Sequence, residues 1–302
     1  MIIPLDAAFS QIPRLFALII GINIYQMNHR TLRGAVPDGK AFKSYLMTRL
    51  CVPENHIISL FDHNATRTAI IEGFRKLRDN EDINEGDPIF IFYAGHGSQK
   101  PANPDWEVEG RNIQMEVILP HDCGAVNEEH PEGVEPIPDH TIGILIDEIA
   151  AKKGNNIVSP FGDLLAHHFR LTPSQTVVFD SCHSASGTRS EDDNSLTLVR
   201  SAQLEDVPFR KETDREIWES FQRGPRPDEA HSRRGLGSHI LISACRSSEE
   251  ASEYNGHGRL SMALLKLLDK ISPNKLRYRD ILANMEPISQ SVCFCHRYEN
   301  LH

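Results

Sequence analysis

Five short runs of apolar residues, rich in β-branched and aromatic side chains, recur along the chain with the length of buried strands. They cover residues 16–22, 56–61, 88–93, 176–179 and 239–244. Stretches in which apolar residues repeat with the helical period lie between or after them, at residues 39–50, 66–77, 145–151, 260–268 and 278–285. Thr66 is the predicted N-cap of the second helix. This alternation predicts an α/β fold with a mostly parallel central sheet flanked by helices on both faces.

Two of the apolar runs stop abruptly in small and polar residues. The first, IFIFYAGHGSQ at residues 89–99, ends around His96, and the second, TVVFDSCHSASG at residues 176–187, ends around Cys182. Parallel strands bring their carboxyl ends to one edge of the sheet, where open α/β folds keep their sites. A thiol with a pKa of about 8.5 is mostly protonated at neutral pH, so a nucleophilic cysteine needs a base such as imidazole. The pattern predicts that His96 and Cys182 lie together.

Both residues also have an ordinary interpretation. A cysteine after four apolar residues is typical of a protein core, but polar residues on both sides of Cys182 indicate a strand end instead. His96 is one of 15 histidines, most of which belong on the surface. The glycines on both sides of His96 set it apart, because glycine permits a close approach of the backbone.

At these residues the chain resembles the caspase-like cysteine peptidases, and among them the metacaspases of fungi, plants and protists. The resemblance rests on YAGHG at residues 93–97 and DSCHSAS at residues 180–186. Further matches are LIIGINIY (18–25), LRGAVPDGKAF (32–42), ILISACRSSEEASE (240–253) and GRLSMALLKLL (258–268). The resemblance extends from about residue 16 to residue 285 and implies the caspase fold.

The resemblance implies roles for five residues. Cys182 is the nucleophile, His96 is the general base, and the amide of Gly97 forms the oxyanion hole with the amide of Cys182. Asp38 and Asp180 form a pocket that selects Arg or Lys at P1, the substrate residue before the cleaved bond. Alternatives stay open for both carboxylates. Asp38 is also placed to be a helix N-cap, and Asp180 to hydrogen-bond a neighbouring loop.

The resemblance also divides the chain. Residues 1–187 correspond to a large-subunit region, residues 238–302 to a small-subunit region, and the polar residues 188–237 to a linker in which the family usually cuts itself. The basic candidates for such a cut are Arg189, Arg200, Arg210, Lys211, Arg223, Arg233 and Arg234. An uncut surface loop is the alternative. The final segment, SVCFCHRYENLH, is expected to lack the apolar strand that closes the sheet, as in a truncated small subunit.

Residues 158–175 interrupt the approach to the second motif. Joining Ile157 directly to Thr176 would leave a helix-to-strand connection of ordinary length. The segment begins Val-Ser and ends in Gln, which codons starting GT-AG and ending CAG can encode. Our hypothesis is a retained in-frame intron. A cDNA without these codons would support it, and a peptide covering residues 163–171 in the protein would refute it.

Calcium is the cofactor that the resemblance raises. Many metacaspases bind it through acidic residues after the catalytic histidine and in a later acidic turn. Here Met115 stands at an acidic position of residues 114–120, and the later turn reads Ile-Pro-Asp-His at residues 137–140. Because Ca²⁺ takes about six to eight oxygen ligands, we expect an eroded site and assign no cofactor. Zinc at residues 293–296 is disfavoured, since no second ligand pair stands at a suitable spacing.

Composition narrows the partners and the compartment. A net charge of −10 and a pI near 5.8 argue against nucleic acid or an anionic membrane and suit a basic polypeptide substrate. The six cysteines show no disulfide-rich spacing, which favours a reducing compartment. The longest apolar run is too short to span a membrane, and the first residues lack the basic start of a signal peptide. We expect a cytoplasmic protein and favour a monomer.

These inferences lead to one expected function and one alternative. The expected function is a cysteine endopeptidase that cleaves polypeptides after Arg or Lys, processes itself, and acts in programmed cell death or stress response. The alternative is a catalytically weak or inactive caspase-fold protein that serves as a signalling or interaction module. Other α/β hydrolases are disfavoured because the chain has no G-x-S-x-G motif.

Overall fold

The structure is a computed structural model, and it describes residues 14–27, 31–101, 114–154, 175–181, 197–202, 204, 213–223, 239–244, 251–271, 281, 283–288 and 293–295. Its strands are β1 (Phe16–Gly21), β2 (Ile57–Phe61), β3 (Ile89–Ala94), β4 (Gly97–Pro101), β5 (Gln114–Ile118), β6 (Ile137–Pro138), β7 (Gln175–Asp180), β8 (Thr197–Val199), β9 (His239–Ser243), β10 (Ser252–Tyr254), β11 (His257–Gly258) and β12 (Cys293–Cys295). Its helices are α1 (Ala35–Arg49), α2 (Arg67–Asp79), α3 (Asp139–Lys153), α4 (Arg215–Arg223) and α5 (Arg259–Lys270). Cys182, residues 158–174 and parts of the predicted linker lie outside the described residues.

A six-stranded sheet forms the centre of the fold, in the order β12-β9-β7-β3-β1-β2. The strands from β9 to β2 run parallel to one another. Each of the five apolar runs therefore forms a strand of this sheet, with bounds within two residues of those predicted.

Both faces of the sheet are buried, which explains why its strands are continuous apolar runs and not alternating ones. In β1, Leu18 and Ile20 pack in the hydrophobic cluster that contains α2 and α3. Ala17 and Ile19 pack on the opposite face with α1 and α5. Helices therefore cover both faces, and the predicted α/β class with a mostly parallel sheet is confirmed.

The edge strand β12 corrects the expectation for the end of the chain. It pairs antiparallel with β9, with Phe294 opposite Ile242. A closing strand is therefore present where the sequence analysis expected none. Three residues are too few to give a periodic signal, so only the pairing with β9 defines this strand.

The starts of two helices test the predicted caps. Thr66 caps α2 as predicted, because its hydroxyl accepts from the amide of Ala69 at 3.2 Å. Helix α1 instead begins at Ala35, with Gly34 at the N-cap and no side-chain cap. The amide of Asp38 donates to the carbonyl of Gly34 at 2.9 Å, so Asp38 lies inside the first turn. The N-cap interpretation of Asp38 is therefore wrong.

Two three-stranded sheets accompany the central one, in the orders β4-β5-β6 and β11-β10-β8. Strand β4 begins directly after β3, with only Gly95 and His96 between them. Gly97 of β4 is bridged to Ser201, which follows β8 by two residues. The two small sheets therefore meet beside the carboxyl end of β3.

No helix in the described ranges is both long and apolar enough to be a membrane span.

Candidate active site

His96 lies in the turn between β3 and β4, and two tyrosines fix its backbone. The amide of His96 donates to the hydroxyl of Tyr25 at 2.7 Å, and the hydroxyl of Tyr93 donates to the carbonyl of His96 at 2.7 Å. The rings of Tyr25 and His96 are tilted against each other, with centroids 5.0 Å apart. Burial raises the pKa of both tyrosines, so their hydroxyls stay protonated. The side chain of His96 is itself fully buried.

Gly95 precedes His96 for a steric reason. A Cβ atom at this position would lie 2.7 Å from the hydroxyl oxygen of Tyr93 and 2.8 Å from that of Tyr25. Any other residue would therefore push apart the two tyrosines that hold His96. This contact accounts for the first glycine of the GHG sequence.

Gly97 opens β4, and its amide donates to the carbonyl of Arg200 at 3.0 Å. The carbonyl of Gly97 in turn accepts from the amide of Ala202 at 3.1 Å, so residues 200–202 run beside Gly97. The amide that the sequence analysis assigned to the oxyanion hole thus faces a backbone carbonyl of the chain itself.

Three carboxylates surround the guanidinium of Arg200. Its Nη2 atom lies 2.7 Å from Oδ2 of Asp38 and 3.1 Å from Oε1 of Glu253, and its Nη1 atom lies 3.1 Å from Oδ2 of Asp180. None of the four side chains has more than 1% of its surface exposed. Burial lowers the pKa of Arg200, but the three carboxylates outweigh this effect and raise it, so the residue stays cationic. The structure thus brings Asp38 and Asp180 together around one cation.

Asp38 has two further neighbours. Its Oδ2 atom accepts from the amide of Gly258 at 2.7 Å, and its Oδ1 atom lies 2.9 Å from Nδ1 of His257. Burial raises the pKa of Asp38 to about 6, and the guanidinium of Arg200 opposes this shift. The carboxyl group therefore binds a proton more readily than an ordinary aspartate does.

Asp180 has a structural role and an additional acceptor oxygen. Its Oδ2 atom accepts from the amide of Ser261 at 3.0 Å and from its hydroxyl at 2.6 Å. A structural hydrogen bond of Asp180 is therefore present, but its donor lies in the first turn of helix α5 and not in a neighbouring loop. The Oδ1 atom is buried and has no hydrogen-bond partner among the described residues. A buried acceptor without a donor is costly, so Oδ1 favours a ligand that donates to it.

Glu253 is a residue of this site that the sequence analysis missed. Its Oε1 atom accepts from the amide of Gly34 at 3.0 Å, and its Oε2 atom accepts from that of Arg33 at 2.8 Å. These bonds tie β10 to the start of α1. Glu253 stands in a segment with other glutamates, at residues 249 and 250. No local pattern distinguishes it from them, and only its position opposite Leu198 of β8 brings it to Arg200.

Cys182 follows Asp180 by two positions and lies outside the described residues. Strands β3 and β7 end level with each other, since Ala94 pairs with Asp180. His96 follows Ala94 by two positions, as Cys182 follows Asp180. The His96–Cys182 dyad stays a prediction, and this register is consistent with it.

Residues 14–290 match the family model of the caspase domain. The chain belongs to the caspase-domain peptidase family. Metacaspase-1 of Plasmodium falciparum is 35% identical over 123 residues, which cover 38% of this chain and 19% of that protein. Metacaspase-1A of Aspergillus oryzae is 26% identical over 176 residues, which cover 56% of this chain and 34% of that protein. Metacaspase-1 of Candida albicans is 28% identical over 178 residues, which cover 56% of this chain and 33% of that protein.

These relatives confirm the metacaspase resemblance, at modest identity. The matched part spans about a third or less of the length of these three metacaspases. A solved structure, that of protein GSU0716 from Geobacter sulfurreducens, has a TM-score of 0.61 and 19% identity over 94% of this chain and 93% of that one. At this identity the similarity concerns the fold alone.

Among the described residues, the positions that the resemblance implies for calcium supply few suitable ligands. Met115 is buried, and its thioether is a poor ligand for a hard cation. Glu116 is half-buried, and burial raises its pKa. Within the described part of the chain, no group of three His, Cys, Asp or Glu side chains is arranged to hold a metal ion. The described residues therefore do not form a calcium site, and we assign no reaction step to this ion.

Proposed function

We propose that this chain is a cysteine endopeptidase that cleaves polypeptides after Arg or Lys, with Cys182 as nucleophile and His96 as general base. One observation carries the proposal. The guanidinium of Arg200 lies among three buried carboxylates while its carbonyl accepts from the amide of Gly97. A pocket that holds an arginine of the chain itself has the charge and the size to hold an arginine of a substrate.

The proposed reaction is amide hydrolysis in two stages. His96 takes the proton of Cys182, and the thiolate attacks the carbonyl carbon of the P1 residue. The amides of Gly97 and Cys182 donate to the oxyanion, and one such donor stabilises a transition state by about 3 to 4 kcal/mol. His96 then protonates the leaving amine, and water hydrolyses the thioester.

The charges of the pocket support basic over acidic residues at P1. Asp38, Asp180 and Glu253 carry three negative charges when ionised, against the single positive charge of Arg200. An acidic P1 side chain in the same place would meet like charges in a buried site, and such contacts cost several kcal/mol. The pocket therefore favours Arg or Lys.

Fluorogenic peptides that differ only at P1 test this proposal. The wild type should hydrolyse the Arg and Lys peptides at least about a hundredfold faster than the Asp peptide, with or without calcium. Cys182→Ala should be inactive. Cys51→Ala is the matched control, because Cys51 is an exposed free thiol, and it should keep full activity. Hydrolysis that survives Cys182→Ala, or a preference for Asp, would contradict the proposal.

The same geometry favours a second candidate function. Because Arg200 fills the pocket, a chain that never releases it would bind no basic substrate. Such a protein would act as the signalling or interaction module considered above. Inactivity of the wild type then has two causes, a pocket that stays filled by Arg200 or a dyad that does not react, and a folded Arg200→Ala variant, in which the pocket is open, distinguishes them. Activity of that variant, dependent on Cys182, would decide for the peptidase.

The cellular setting belongs to the proposal as well. We propose a cytoplasmic monomer that acts on polypeptides, without nucleic acid or membrane partners, in programmed cell death or stress response. Support comes from the acidic composition, the cysteine spacing and the metacaspase relatives. Cell fractionation and sedimentation of the purified chain would test the compartment and the oligomeric state. Survival of a Cys182→Ala strain under stress would test the role.

A further inference from the structure

Residues 197–202 cross the candidate site as an extended segment that is held by its backbone. Strand β8 pairs antiparallel with β10, with Leu198 opposite Glu253. Next in the chain, the amide of Arg200 donates to the carbonyl of Ala251 at 2.9 Å. This arrangement is strand addition, in which an extended peptide binds along the edge of a sheet.

Arg200 continues this pairing with both its side chain and its carbonyl. The side chain lies fully buried among Asp38, Asp180 and Glu253. The carbonyl accepts from the amide of Gly97 at 3.0 Å. An extended substrate of a protease is held by the same features at the residue before the cleaved bond. Its amide pairs with a strand, its side chain fills a pocket, and its carbonyl faces an oxyanion donor.

The residues that follow Arg200 in the chain are also held by hydrogen bonds. The amide of Ala202 donates to the carbonyl of Gly97 at 3.1 Å, and the hydroxyl of Ser98 donates to the carbonyl of Ala202 at 2.6 Å. Ser201 is bridged to Gly97 between these contacts. The peptide bond from Arg200 to Ser201 is therefore fixed on both sides.

We propose that the bond between Arg200 and Ser201 is the site at which this chain cuts itself, with Arg200 at P1 and β8 at P4 to P2. The inference rests on the proposed function and selects one of the basic candidates in the linker. Another candidate that the structure describes, Arg223, ends α4. Helical backbone at that position cannot add to a sheet edge, so Arg200 is favoured over it.

The proposed step is a hydrolysis that needs only water. The sulfur of Cys182 bonds to the carbonyl carbon of Arg200, and the bond from this carbon to the nitrogen of Ser201 breaks. His96 transfers the proton of Cys182 to that nitrogen. Water then attacks the thioester, which yields the carboxylate of Arg200 and restores the thiol. The products are one chain that ends at Arg200 and one that begins at Ser201.

Intact mass and N-terminal sequencing of the purified full chain test the proposal. The wild type should yield a fragment that begins Ser201-Ala202, and Cys182→Ala and Arg200→Gln should each yield at least about tenfold less. Arg200→Lys should keep the fragment, because Lys is the other proposed P1 residue. Arg215→Gln is the matched control. It removes an exposed cation of α4 and should be processed like the wild type.

A second variant covers the case in which the loss of Arg200 unfolds the chain. Arg200→Gln leaves three buried carboxylates without their cation, which is strongly destabilising. Ser201→Pro keeps Arg200 in its pocket and places a tertiary amide without a proton at the cut bond. Proline also favours an extended residue before it, as Arg200 already is. Ser201→Pro should show cooperative thermal unfolding and yield no fragment beginning at position 201.

Three outcomes would overturn the inference, and they separate it from the proposed function. A wild type that hydrolyses an Arg peptide but yields no fragment beginning at Ser201 overturns the inference alone. The fragment at wild-type level in Cys182→Ala would assign the cut to another protease and also overturn it. If the wild type and a folded Arg200→Ala variant both fail to hydrolyse Arg peptides, the proposed function falls and the inference with it.

Discussion

The amide of Gly97 and the carbonyl of Arg200 are joined by a hydrogen bond of 3.0 Å. Gly97 follows His96 directly, and Arg200 follows β8 in the segment after Cys182. This hydrogen bond therefore joins the turn that contains His96 to the segment that follows Cys182 in the chain. Because the side chain of Arg200 is fixed among three carboxylates, the bond also marks where a P1 carbonyl is held.

Removing either member of the predicted dyad should abolish peptide hydrolysis. We expect kcat/KM to fall at least about a thousandfold in Cys182→Ala and at least about a hundredfold in His96→Ala. His96 is fully buried, so His96→Ala should also lower the free energy of unfolding, by about 1 to 3 kcal/mol. Steady-state kinetics and thermal unfolding measure the two effects.

His121→Ala is the matched control for this histidine. His121 is also buried, and its Nδ1 atom lies 2.7 Å from the carbonyl of Ile24. The variant should lose stability while keeping kcat. A folded His96→Ala protein with the kcat of the wild type would show that His96 is not the base.

Neutralising Asp180 should change the charge preference at P1. Asp180→Asn should lower kcat/KM for Arg peptides about ten- to a hundredfold, because a charge-assisted hydrogen bond contributes about 1.5 to 3 kcal/mol. Hydrolysis of a peptide with a neutral P1 should change little. Glu253→Gln should act in the same direction, since its Oε1 atom lies 3.1 Å from the guanidinium in the pocket.

Ser261→Ala separates the charge of Asp180 from its structural bond. This variant removes the hydroxyl that donates to Oδ2 of Asp180 at 2.6 Å and leaves the carboxylate in place. It should lower stability and keep the ratio of Arg to neutral hydrolysis. If Asp180→Asn also keeps that ratio, the basic pocket is wrong.

Gly258 provides the space for the ion pairs. A Cβ atom there would overlap with Oδ2 of Asp180 and lie 2.6 Å from Nη1 of Arg200. Both atoms are held by other bonds, so Gly258→Ala should lower the free energy of unfolding by about 1 to 3 kcal/mol. Hydrolysis of Arg peptides should fall as well. Gly143→Ala, in α3 with nothing within 4 Å of the added carbon, should instead raise stability by up to about 1 kcal/mol. Equal urea denaturation curves for the two variants would contradict this account.

Asp38 should produce opposite pH trends in cleavage and in stability. Burial raises its pKa to about 6, so the carboxylate loses its charge as the pH falls below 6. The ratio of Arg to neutral hydrolysis should then decrease from about pH 7 to about pH 5, because a cationic P1 loses a partner. The folded state favours the protonated form. The contribution of Asp38 to the free energy of unfolding is therefore largest below its unfolded pKa and is lost as the pH rises through about 6.

Asp38→Asn should show neither trend, and this variant controls for the other groups around it. Asp180, Glu253, Arg200 and His257 face the same carboxyl group, and the dyad titrates as well. The neutral peptide corrects for the dyad. A ratio that still decreases at low pH in Asp38→Asn would assign the titration to another group.

The strands of the central sheet and most of its helices were predictable because their signals are local. A strand covered on both faces must be apolar at nearly every position, so residues 16–22 already indicated β1. Thr66 likewise predicted the start of α2, because threonine is favoured at a helix N-cap. Helix α1 starts without a side-chain cap at Gly34, and its first turn therefore had no sequence signature. Strand β12 is defined only by its pairing with β9.

The sequence by itself determined where β3 and β7 end. It therefore also predicted that His96, Cys182 and Asp180 lie at or just after the ends of these strands. Only the tertiary structure decided what fills the pocket that Asp38, Asp180 and Glu253 form. Arg200 was one of several basic residues in the linker, and Glu253 was one of several glutamates. A buried charge is stable only where opposite charges and hydrogen-bond donors converge on it. Asp38, Asp180 and Glu253 come from α1, β7 and β10, and no local pattern encodes their meeting around Arg200.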